Sequence, residues 1–90
     1  MGAAVTNEDA FILALGALRW IVADGPRCDR LFGVTGLTPD SLRSGAGEPA
    51  VLAALLAFLE AHEPDLIACA EAMNVAPEEL VRAHALLEAM

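Results

Sequence analysis

Five prolines divide the chain, at Pro26, Pro39, Pro49, Pro64 and Pro77. Proline has no N–H and a fixed φ, so it breaks a helix interior but suits the first helical turn. Each of these prolines follows a stop or cap and precedes a run of good helix formers. Thr6, with Asp9 three residues on, adds a sixth start of capping-box type. Six starts in 90 residues permit only short helices with short connections. No segment alternates in the β-branched manner of a strand. The predicted fold is all-α: a compact single-domain bundle of about five or six short helices over residues 1–90, with residues 1–5 as a flexible N-terminus.

The predicted helices run from about Asn7 to Asp24, Pro26 to Gly36, Pro39 to Ser44, Pro49 to His62, Pro64 to Met73, and Pro77 to near the C-terminus. In the first, Phe11, Leu15, Leu18 and Val22 share one face, and Ile12, Leu13, Trp20 and Ile21 widen it. That helix should be buried on more than one side. The fourth carries Val51, Leu52, Leu55, Leu56, Phe58 and Leu59 over so wide an arc that it should be central. Gly45-Ala46-Gly47 reads as a flexible connector, and Asn74 as a left-handed stop.

Composition narrows the function. The chain is 57% apolar, with 19 Ala and 14 Leu. That is too apolar for disorder, and its apolar runs are shorter than the roughly 20 residues that cross a bilayer. The start of the chain lacks the basic region of a signal peptide, so a cytoplasmic location is expected. Met1-Gly2-Ala3-Ala4-Val5-Thr6 fits the short myristoylation pattern, but Thr6 already reads as a cap. A fold of 9.4 kDa keeps about 5,000 Å² exposed. Some large apolar side chains should therefore remain outside, which points to a partner or to self-association.

The charge balance points away from nucleic acid. Thirteen acids face five bases, the net charge is −8, and there is no Lys. Non-specific nucleic-acid affinity comes from neutralising phosphates. The segment Leu66–Met73, the turn Asn74-Val75-Ala76 and the last helix have helix-turn-helix lengths, which keeps a nucleic-acid-binding regulator as the alternative. Its recognition helix would open with Pro77-Glu78-Glu79 and only Arg82 nearby. Gly36–Leu42 and Asn74–Leu80 match at an offset of 38. The shared grammar of helix stop and helix start accounts for that match better than an internal repeat does.

No reactive constellation is visible. Cys28 and Cys69 form no CxxC and read as reduced and structural. His62, Glu63, Asp65 and His84 lack metal-ligand spacing, so neither metal nor cofactor is expected. His62 reads as the end of the fourth helix and His84 as part of a core-facing stripe with Leu80 and Leu87. Ser41 and Ser44 stand outside any nucleophile elbow, and no glycine loop has Walker spacing. No catalytic residue is assigned. The expected role is a non-enzymatic protein–protein interaction or self-association module. Trp20, Arg19 and Arg43 are its candidate surface residues, since Trp and Arg are enriched at binding hot spots.

The chain also resembles a family of small bacterial proteins that carry only a domain-of-unknown-function label. The resemblance rests on Ala17-Leu18-Arg19-Trp20-Ile21 and on Leu31-Phe32-Gly33-Val34-Thr35-Gly36-Leu37 running into Pro39 and Leu42-Arg43. It continues through Glu48-Pro49, Val51-Leu52, Phe58-Leu59 and His62-Glu63, covering most of residues 8–70. It implies a small helical cytoplasmic protein and supplies no activity or site residues.

Overall fold

A computed structural model describes residues 5–90. It contains α1 (Asn7–Val22), α2 (Gly25–Thr35), α3 (Pro39–Gly45), α4 (Pro49–Glu60), α5 (Glu63–Met73) and α6 (Pro77–Glu88), with no strand among the described residues. All five prolines lie in the first turn of a helix. Thr6 heads α1 with a reciprocal capping box: its hydroxyl accepts from the Asp9 N–H at 3.1 Å, and the Asp9 carboxylate accepts from the Thr6 N–H at 3.2 Å. Thr38 and Ser41 repeat the device at α3. The expected flexible segment 1–5 and the N-terminal acylation pattern fall mostly on residues 1–4, outside the described residues; Val5 packs partly buried against the core.

Two of the helix stops rest on left-handed residues. Gly36, at φ 77, ends α2, and its N–H returns to the Phe32 carbonyl. Asn74, at φ 59, ends α5. There the Val75 N–H reaches the Ala70 carbonyl and the Asn74 N–H reaches that of Glu71, the paired bonds of a Schellman motif. The two segments that match in sequence are thus both a stop followed by a start.

Three boundaries differ from the sequence reading. Helix α1 ends at Val22, because Asp24 turns into extended backbone and caps α2 through the Arg27 N–H at 2.9 Å. Helix α4 ends at Glu60, and His62 occupies the cap position of α5. Gly45 is not a loose connector. It is buried, and a Cβ there would lie 2.7 Å from Val51 Cγ2, so its bareness lets α3 approach α4.

Helix α4 is central: Leu52, Leu55, Leu56, Phe58 and Leu59 are buried, and it touches every other helix. The larger correction concerns α1. Its buried stripe is Ala10, Ala14, Ala17 and Ile21, each 0% exposed. This face meets α6 and α4, whose own stripes include Leu80, Ala83 and Leu87 on α6. Small side chains let helix axes come close, and the larger residues of the partners fill the seam. The predicted core face fares differently. Leu15 is 40% and Val22 45% exposed, Ile12 is 63% exposed, Phe11, Leu13, Leu18 and Trp20 pack only partly against the core, and Ile21 alone of the predicted face is fully buried. The total accessible surface is 5055 Å², near the value expected for this mass, so these side chains are outside a normally packed globule.

Candidate functional site

Helix α1 presents an apolar ridge to solvent. Ile12, Leu15 and Val22 lie on it, with Arg19 between the last two, all exposed. At about 100° per residue the ridge points well away from the alanine stripe. Along one flank runs a groove of about 520 Å³ between α1, α2 and α3. Leu18, Val22, Phe32, Pro39 and Leu42 line it, with Cys28 and Ala46. Arg43 stands at its rim, 3.1 Å from Asp40 in an exposed pair. The groove is set by two sequence features. Gly36 turns the chain back after α2, and Pro39 starts α3 three residues later.

The three residues singled out from sequence go to different places. Arg19 is on the ridge, and Arg43 is on the groove rim. Trp20 lies about 200° round the helix from both Leu18 and Val22, on the other side of α1. It is half-buried and packed against the core. The Arg27 guanidinium covers its ring at 3.4 Å from the centroid and donates to the Trp20 carbonyl at 2.9 Å. This cation–π lid holds the start of α2 over the end of α1. Arg27 Nε is buried without a hydrogen-bond partner; the guanidinium gives its bonds to the carbonyl and its face to the indole. Nothing in the spacing of Trp20 and Arg27 announces this contact, because a helix break separates them.

The remaining polar clusters tie helices together. Arg30 on α2 pairs with Asp65 on α5 and lies 5.7 Å above the Phe58 ring. His62 Nδ1 is 3.0 Å from the same Asp65 carboxylate. His84 on α6 faces Glu60 on α4, Nδ1 to Oε2, at 2.5 Å. Its Nε2 is 3.3 Å from Glu88 Oε2 but is not aligned for a hydrogen bond. His84 is thus a polar link at the edge of the core stripe. Among the described residues, no three His, Cys, Asp or Glu side chains converge in an arrangement that could hold a metal.

The two thiols differ. Cys28 is half-buried beside the groove. Cys69 is 0% exposed, with Met73 Sδ 3.6 Å from its sulfur. Burial pushes the Cys69 thiol up to about 11; Arg27 opposes this and Asp65 adds to it. A thiol held protonated is a poor nucleophile. At the helix-turn-helix-like segment, α6 opens with exposed Glu78 and with Glu79, whose carboxylate accepts from the Ala76 N–H at 2.8 Å. Both carboxylates thus occupy the end that would face phosphates.

The fold and these surfaces define a small six-helix domain that presents an apolar ridge and groove. The chain belongs to the family described as "Protein of unknown function (DUF3572)", which matches residues 7–90. No curated protein and no solved structure was found to match it. Among the described residues no helix is long and apolar enough to cross a membrane.

Proposed function

We propose that this chain is a non-enzymatic, cytoplasmic module that works by protein–protein contact through the exposed face of α1. One observation carries the reading. Ile12, Leu15 and Val22 stay outside while alanines fill the buried face of the same helix. Exposed single apolar residues are ordinary, but several on one helix face beside an apolar groove mark a contact surface. The protonated Cys69 supports the non-enzymatic part, since it withdraws the more buried thiol from nucleophilic chemistry. The nucleic-acid alternative is weakened by the carboxylates at the start of α6 and by the net charge of −8.

Light scattering combined with affinity capture tests the reading. Wild type should self-associate or retain a partner, and Ile12→Asp should abolish this without unfolding the chain. A strict monomer that holds no partner would overturn it. Retarded migration of duplex DNA at low salt would favour the alternative instead.

A further inference from the structure

The exposed face of α1 has a register as well as a polarity. Val5, Glu8, Ile12, Leu15, Arg19 and Val22 follow one another in alternating steps of three and four. That spacing keeps side chains along one seam of a helix. Five of the six are exposed, and Val5, just ahead of the helix, is half-buried. At about 100° per residue the helical part of the seam, Glu8 to Val22, lies about 150° round from the buried alanine stripe, so α1 turns it away from the bundle, while Val5 packs against the core.

Two opposite charges sit in this seam. Among the described residues neither Glu8 nor Arg19 has an ion-pair partner, whereas Arg30 pairs with Asp65 and Arg43 with Asp40. Their placement is symmetric: Glu8 is four residues before Ile12, and Arg19 is four residues after Leu15. Lay a second α1 antiparallel with Ile12 facing the partner's Leu15. Then Glu8 faces the partner's Arg19, and Arg19 faces the partner's Glu8. A twofold interface demands such reciprocity: if one residue meets another, the second must meet the first. Here one register satisfies it with apolar against apolar and acid against base throughout. A parallel arrangement would set Glu8 against the partner's Glu8 and Arg19 against the partner's Arg19.

We infer that the chain forms a twofold antiparallel homodimer through α1, with Ile12–Leu15 contacts at the centre and Glu8–Arg19 ion pairs at both ends. This rests on the reading of the α1 face as a contact surface and names its occupant, a second copy. The charges select the orientation more than they add strength. A single-helix contact is at the small end of stable interfaces, so association is followed over a wide range of concentration.

Sedimentation equilibrium from about 5 to about 500 µM tests it, with circular dichroism confirming that each variant is folded. Wild type should dimerise. Glu8→Arg and Arg19→Glu should each weaken the homodimer at least about fivefold, because each brings like charges together at both ends. The double exchange should return affinity to within about twofold of wild type. An equimolar mixture of the two single variants should form the heterodimer in preference to either homodimer. Dimerisation indifferent to these exchanges would overturn the register while leaving the α1 face as a contact surface. A wild-type monomer throughout would overturn the homodimer; the broader reading would then stand only on a heterologous partner lost with Ile12→Asp.

Discussion

The two faces of α1 carry opposite side chains from what their burial would lead one to expect. The buried face is Ala10, Ala14, Ala17 and Ile21, each 0% exposed. The open face holds Ile12, Leu15 and Val22, at 63, 40 and 45%. Hydrophobic burial alone would favour the reverse, since a fully buried Leu or Ile gains about 1.5–3 kcal/mol and Ala much less. Close packing decides the matter. The large side chains of α4 and α6 already fill the interior, so α1 has to contribute a narrow face. Its larger side chains are left facing solvent.

That contrast can be broken most severely from the buried side. Ala14→Leu forces three extra carbons into the seam around α1 and should cost about 3 kcal/mol in chemical denaturation. Enlarging Leu15 to Phe on the open face should change stability by no more than about 0.5 kcal/mol. If the two cost the same, the assignment of faces is wrong.

The thiols sharpen the same contrast. Cys69 belongs to the buried side and Cys28 to the groove. With Cys69 raised from 9.0 to about 11 in the folded chain, nothing is lost below pH 9. Above it the unfolded thiol releases its proton first, so stability should fall between pH 9 and about 11, by about 3 kcal/mol in all. The chain has neither Lys nor Tyr, so few other groups titrate in that window. Cys69→Ala should flatten the slope. A thiol reagent at pH 8 should label Cys28 readily and Cys69 only after denaturation; equal labelling would contradict the burial.

A smaller effect is expected at Gly45, which uses the same device of a missing side chain. Gly45→Ala should destabilise by about 1–2 kcal/mol, because Val51 is β-branched and cannot swing aside freely. Gly16→Ala makes the control. Its new Cβ would meet the flexible end of Met73, which can move, so the cost should stay below about 1 kcal/mol.

Much of the architecture was legible because its rules are local. Proline in the first turn, Thr6 and Thr38 as caps, and Gly36 and Asn74 as stops each act within a few residues. Phase was not legible. The Phe11–Leu15–Leu18–Val22 stripe and the Ala10–Ala14–Ala17–Ile21 stripe have the same spacing of four, three and four. Periodicity therefore reports a face without saying which one is turned inward, and a preference for large apolar residues selected the wrong stripe. The Arg27 lid on Trp20 and the His84–Glu60 link were also out of reach, since each depends on the angle at which two helices meet. The groove shares that origin. Its residues come from three helices and converge only after the turn at Gly36.

The inferred homodimer sets the open face of α1 against its own copy. Light scattering at about 200 µM tests it. The wild type should show about twice the 9.4 kDa of one chain. Ile12→Asp should fall to 9.4 kDa with its helical signal intact. A wild-type mass of 9.4 kDa at that concentration, or a dimer that survives Ile12→Asp, would contradict the account.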